Sequence, residues 1–497
     1  MSESKFDKIW QQIAPIRPEL DAIMEMHGNT RLVDYVRGIW SYRPDSVYKG
    51  RLPEIAGVLG RQVRRLWGDE TAARIEQRFP EAPVVSTGDH HGILSFPLFV
   101  HSNLMFCLDS LISETPDSRV LLATGNIPLM NFTFPRGITL TEPNAKGRPT
   151  TIPMFPYKME RTWVYGAPAY GEDAVEKAAD RTQKLARDGM ITEQKESVVQ
   201  DTLQNVIGGD DILNQPDYAA QSSVVNTRLW QKFFSERPPA ELLPLQLEEI
   251  VSQWLVKALE EDQDLPVIRM LLDSRWREQA TGLFNGVPGC WDTERKTGSF
   301  LFWGAGTRGQ PISLWEDEPG RLIGIDPSTK EPVNFELNSR TLADMLSRKL
   351  LIPNLLVTFT TLSFYFGIRC YGGFMQTDYL VGMKQGWLSL LRNFGFDDEA
   401  ELVSEVPTAN YLTGPSTSFV RHGETLTGSG TFDLIERGGL RPHELNAAAG
   451  HTVWQLNTPS LPVIYRIIMG SQADPDLADV DIYEAVEHGK LQDLILR

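Results

Sequence analysis

The 497-residue chain contains only three cysteines, Cys107, Cys290 and Cys370. The number is odd, and none sits in a C-x-x-C pair or at a Cys/His ligand spacing, which argues against a disulfide framework and a structural zinc. The start, Met1-Ser2-Glu3-Ser4-Lys5, lacks the apolar run of a secretory signal, so a cytoplasmic protein is expected. Basic residues are in deficit: 48 Lys and Arg stand against 65 Asp and Glu, a net charge of −17. A surface that acidic presents no general cationic face, so neither nucleic acid nor an anionic membrane is expected as a partner. A small ligand with one anionic group needs only a local pocket and stays open. Long hydrophobic runs are scarce too. The uncharged residues 350–368 include Pro353, Asn354, Thr358, Thr360, Thr361 and Ser363, and their β-branched and aromatic content predicts buried strands rather than a membrane span. GxSxG, HExxH, Walker and kinase signatures are all missing.

What is present reads as an α/β chain. Residues 1–81 carry helical spacing through Trp10, Ile13, Ile16, Leu20 and Ile23. The apolar runs 82–87 and 119–125 then flank a segment, 97–108, compatible with a crossover helix. Strand, glycine turn, helix, strand is the pattern of a right-handed βαβ unit and hence of a parallel sheet. These runs define a first half of the core at 82–168. Residues 169–286 read as a helical insertion or arm, with Leu243, Leu247, Ile250, Val251, Trp254, Leu255 and Ala258 at i, i+3/i+4 spacing. That stripe suits either a homodimer face or docking within the chain. A β-rich second half follows at 287–400, and a mixed segment at 401–497.

The densest cluster of chemistry is Thr87-Gly88-Asp89-His90-His91-Gly92, placed just past a strand and before a helix, where parallel sheets carry their ligands. Gly88 and Gly92 let backbone N–H groups approach an anion, and the helix start favours one. His90 or His91 is the candidate general acid/base, with Asp89 orienting it. Adjacent histidines point apart on most backbones, so the pair alone is not expected to hold a metal. Gly304-Ala305-Gly306-Thr307-Arg308-Gly309 matches GxGxxG, but more strand follows it instead of a helix, so a hairpin turn is expected. Cys370 has no activating neighbour in sequence and reads as buried.

Three stretches, in order, resemble the bacillithiol synthase family, which adds cysteine to glucosaminyl malate. They are 87–99, beginning Thr87-Gly88; the strand running into Asn126-Ile127-Pro128-Leu129; and Ile352-Pro353-Asn354 followed by Gly372-Gly373-Phe374-Met375-Gln376-Thr377-Asp378-Tyr379. The resemblance implies a Rossmann-like core interrupted by a helical insertion, with a small-molecule cleft at the sheet's carboxyl edge. It also implies chemistry joining an amino acid or similar carboxylate to an amine. The cofactor stays unknown: an amide formed in water needs an activated carboxyl, which leaves a nucleotide such as ATP open, though no nucleotide motif is present. In this frame Thr87, Gly88, Gly92 and Asn126 bind substrate or an anion, and Gly372, Gly373, Gln376 and Asp378 line the opposite wall. The family's E-D-H-D motif is replaced by Asn126-Ile127-Pro128-Leu129, its arginine by Thr358 and its glutamate by Gln376. Those losses leave a non-catalytic binding or pathway-scaffold protein as the alternative. A metal-dependent hydrolase using His90, His91 and a distant His101, His422 or His451 is the third reading.

Overall fold

The computed structural model describes residues 4–144 and 147–497. At its centre lie five strands: β1 (Val84–Ser86), β2 (Asp117–Ala123), β3 (Ala240–Gln246), β4 (Arg369–Gly373) and β5 (Tyr411–Thr413). They pair side by side in the order β5-β4-β1-β2-β3, and every pairing is parallel. The expected βαβ unit is there. Helix α1 (Pro97–Ser113) connects β1 to β2, opened by a proline whose missing N–H costs nothing at that position.

Alternate strand residues enter two separate cores, as a period of two requires. Val84, Leu121, Leu242 and Tyr371 join the core on one face; Val85, Val120, Leu122, Leu243, Leu245 and Cys370 join the other. The N-terminal helices divide between the faces: Phe6 to Ile39 pack on the first, Tyr48 to Phe79 on the second. The C-terminal segment covers the first face, where Leu461, Ile464 and Tyr465 join the same core as Ile9 and Ile13.

Two stretches fold differently from their sequence patterns. The stripe that begins at Leu243 splits, because residues 240–246 form β3 at the sheet's edge and only Leu247–Glu260, helix α2, is helical. Pro244 lies inside that strand, where an edge position tolerates the missing donor. The stretch read as an arm therefore supplies one of the sheet's own strands, and Trp254 is fully buried inside the chain, which removes it as a dimer face. Residues 350–368 contain only one short strand, Leu351–Pro353; Leu355–Phe359 is helical and Thr360–Tyr365 continues it as a wider π-type turn. Thr360 and Thr361 return their hydroxyls to backbone carbonyls one turn back, so a helix accommodates them without losing hydrogen bonds. Among the described residues, no helix is long and apolar enough to cross a membrane. Gly304–Gly309 joins two antiparallel strands, Phe302–Ala305 and Pro311–Ser313, as the hairpin reading expects.

Candidate functional site

A cleft of about 570 Å³ opens at the carboxyl edge of the sheet. Its floor is built from chain at the carboxyl ends of the strands: Thr87 and Gly88 after β1, Thr124 and Asn126 after β2, Leu247 after β3, and Phe374 and Gln376 after β4, with Gly373 closing β4 and Thr413 closing β5. The walls are apolar and rich in aromatic rings. Phe99, Phe132, Trp163, Trp303, Phe359 and Tyr379 all line it, and the Trp163 and Trp303 rings lie 5.1 Å apart at 59°. No Lys, Arg, Asp or Glu is among the described residues that line it.

His90 is the histidine the cleft uses. Residues 89–91 run alongside the end of β2, with His91 N–H donating to the Thr124 carbonyl and Thr124 N–H to that of Asp89. An extended run sends alternate side chains to opposite sides, so His90 faces the cleft while Asp89 and His91 face the interior. Asp89 is 3% exposed and accepts from Asn103 Nδ2 (2.8 Å) and Ser102 Oγ (3.2 Å) on α1. Burial lifts its carboxyl to about 7, against those two hydrogen bonds. It ties the turn to the helix and orients neither histidine, which corrects the role expected of it. His91 is 1% exposed and bonds through Nε2 to the Ala219 carbonyl at 2.9 Å. It does not line the cleft, so its expected acid/base role has no access to a ligand there.

The tautomer of His90 follows from its neighbours. Asn131 donates its amide N–H to the Pro128 carbonyl, which fixes its Oδ1 as the acceptor for Thr133 N–H and Thr133 Oγ1. The Thr133 hydroxyl has thus spent its hydrogen, and it accepts from His90 Nδ1 at 3.1 Å. Nδ1 carries the ring proton and Nε2 keeps a bare lone pair. Phe99 and Phe132 lie against the ring. Burial among them pulls its pKa down to about 4, so the ring is a neutral acceptor at physiological pH.

The opposite wall is the start of helix α3 (Phe374–Asn393). Gly373 caps it without a side-chain hydrogen bond, leaving the first-turn N–H groups unsatisfied within the helix and the positive end of its dipole at the cleft. Beside it, Thr413 is 5% exposed and its Oγ1 has no partner. Asn126 presents an equally unpartnered Oδ1, while its Nδ2 holds the Pro353 carbonyl. A Cβ at Gly88 would stand 2.0 Å from Thr413 Oγ1, so the turn after β1 needs glycine where it passes the end of β5.

The other expected residues have scaffold positions. Gln376 lies across Gly372, accepting from Thr87 Oγ1 (2.9 Å) and donating to the Cys370 carbonyl (3.0 Å), so it latches β1 to β4. Gly372 is covered by that side chain and does not line the cleft. Gly92 packs on Pro135 behind the site, and its carbonyl is held by Asn226. Asp378 turns away to Arg17 at 2.7 Å. After β2, the N–H groups of Gly125 and Asn126 are both taken by the buried carboxylate of Glu248, so that loop offers them to no ligand anion. For a nucleotide, the aromatic walls suit a flat base, but no described lining residue carries the cations that a polyphosphate calls for. The thiols are passive: burial pushes Cys370 up to about 12 and raises Cys107 and Cys290 as well.

The histidines proposed for a metal-dependent hydrolase are also dispersed. His101 holds the Ser429 carbonyl and Thr417 N–H, His451 meets Asp493, and His422 lines a different cavity. Trp163, Trp303, Phe132 and Thr413 had no motif to announce them; only Thr413 carried a usable signal, as the last residue of a short β-branched and aromatic run before Gly414. No family model, no curated protein and no solved structure matches the chain.

Proposed function

We propose that the chain binds a flat, largely apolar small molecule bearing one acidic end, on a Rossmann-like core. The observation that carries this reading is the cleft itself: aromatic walls, no charged lining residue, and an uncapped helix start beside an unpartnered threonine hydroxyl. Read from its other edge, the strand order is β3-β2-β1-β4-β5, which matches the first five strands of the 3-2-1-4-5-6 order of doubly wound sheets. The cleft sits over the β1/β4 boundary, where connections leave in opposite directions and such sheets open a crevice. Stacking on Trp163 and Trp303 would hold the ligand's body. The α3 start and Thr413 would take the acidic end, and His90 Nε2 and Asn126 Oδ1 would accept from a donor on the ligand.

A catalytic second reading rests on the same imidazole. Its bare Nε2 could take the proton of a substrate amine as that amine attacks an activated acyl group, such as an acyl phosphate, whose phosphate leaves as the amide forms. A pKa near 4 makes it a weak base, and this favours the binding reading. Native mass spectrometry of the purified protein against a panel of aryl carboxylates, aryl phosphates and their uncharged analogues tests both. Binding of the acids, unaccompanied by turnover of their acyl phosphates with any amine in wild type or His90→Ala, supports a binding protein. Turnover abolished by His90→Ala supports the enzyme, and no binding of any panel member removes both.

A further inference from the structure

A second cavity, of about 560 Å³, lies apart from the cleft and is lined in part by Glu142, His422, Asp433 and Glu436. These residues come from the strand Gly137–Pro143, the hairpin strand Phe419–His422 and the helix Thr431–Glu436. Lys195 reaches them from the helix Glu193–Thr202 and is 1% exposed, with Nζ 2.6 Å from Asp433, 2.8 Å from Glu436 and 3.1 Å from Glu142. Three carboxylates and one ammonium leave two formal negative charges in a largely buried cluster. Excess buried charge of that kind calls for a further cation.

The hydrogen bonds show where a cation would sit. Thr141 Oγ1 donates its hydrogen to Asp433 Oδ2 at 2.6 Å, so it must accept from His422 Nε2 at 2.9 Å. The ring proton is thereby fixed on Nε2, and Nδ1 points a lone pair toward Glu142 Oε1 at 3.8 Å. Two facing acceptors 3.8 Å apart are spaced as ligands of one metal at about 2.1 Å from each. Glu142, 8% exposed, has its second oxygen, Oε2, without any partner. Asp433 Oδ2 is saturated by Thr141 and Gly430, while Oδ1 receives only Lys195. One donor atom from each of Glu142, His422 and Asp433 lies within 4.8 Å of the other two.

We propose that Glu142, His422 and Asp433 form a binding site for a divalent transition cation, with a remaining coordination position open to the adjoining cavity. One imidazole with two carboxylates suits zinc or manganese, whereas calcium and magnesium prefer all-oxygen shells. Lys195 neutralises one carboxylate and leaves the charge that a divalent ion balances.

Full-length protein stripped with a chelator and titrated with Zn²⁺, Mn²⁺ and Ca²⁺ by calorimetry tests the site. The expected result is one equivalent of Zn²⁺ or Mn²⁺ bound, at least tenfold more tightly than Ca²⁺. His422→Ala and Glu142→Gln should each weaken it at least tenfold, with circular dichroism in chelator matching wild type. Glu142→Gln nearly preserves shape and serves if His422→Ala fails to fold. Absence of stoichiometric binding in wild type, or affinity unchanged in a folded Glu142→Gln, overturns the proposal.

Discussion

Replacing His90 by glutamine tests whether the imidazole at the cleft is held neutral. Its folded pKa of about 4 lies below the ordinary value of 6.5. A base with a depressed folded pKa contributes stability that is fully present above its unfolded pKa and lost as pH falls toward the folded one. The full difference is 6.5 − 4 = 2.5, and at about 1.4 kcal/mol per pKa unit it amounts to about 3 kcal/mol. Between pH 8 and pH 5 the unfolded chain takes up most of this proton while the folded chain does not, so His90 alone should remove about 2 kcal/mol. His90→Gln cannot titrate. Urea unfolding at both pH values should therefore show the variant losing about 2 kcal/mol less than wild type on acidification. The C2–H resonance of His90 should stay at its neutral position down to pH 5. Identical losses in the two proteins, with that resonance titrating near 6.5, would refute the burial argument and the neutral acceptor with it.

Other perturbations have equally definite outcomes. Asp89 titrates in the folded chain near 7 instead of 3.8, so its contribution is fully present below 3.8 and lost as pH rises through 7; relative to Asp89→Asn, wild type should lose about 2 kcal/mol between pH 5.5 and 8 in urea melts. Lys195→Met leaves three clustered carboxylates without their ammonium and should cost about 3–5 kcal/mol, read by the urea midpoint at pH 7. All three cysteines are buried, so a thiol reagent should modify fewer than one per chain natively and all three in denaturant; rapid native labelling of two would contradict their placement. Gly88→Ala should lower the melting temperature, because the new methyl meets Thr413 Oγ1; an unchanged melting temperature would contradict the tight approach of the turn after β1 to Thr413.

The sequence disclosed the parallel sheet through the two runs flanking residues 97–108, since an apolar run ended by a glycine turn is local information. Position after a strand placed Thr87, Gly88 and His90 at one edge, and Asn126, Gly373 and Gln376 were grouped with them only through the family resemblance. The pattern failed where burial is complete. Residues 242–246 are buried, as is nearly all of 350–368, so no exposed polar face sets a period, and Leu243 falls by chance into register with the helix that begins at Leu247. Asp89 and His91 looked catalytic because residue type alone carries no direction. Each is an immediate neighbour of His90, and that single step of extended chain turns it into the interior. The cleft's aromatic walls were hidden for another reason. Trp163 and Trp303 are 140 positions apart in sequence and meet only because the hairpin around 304–309 folds back: Trp163 N–H donates to the Gly309 carbonyl.

The most direct test compares an aryl carboxylate with its methyl ester as the protein's tryptophan fluorescence is followed. The acid should quench Trp163 and Trp303 at a stoichiometry of one, and the ester should bind at least tenfold more weakly because the α3 start rewards the charge. Trp303→Ala should abolish the acid's binding. Equal affinity for acid and ester, or binding indifferent to Trp303→Ala, would contradict a cleft that holds a flat acid between its aromatic walls and that helix start.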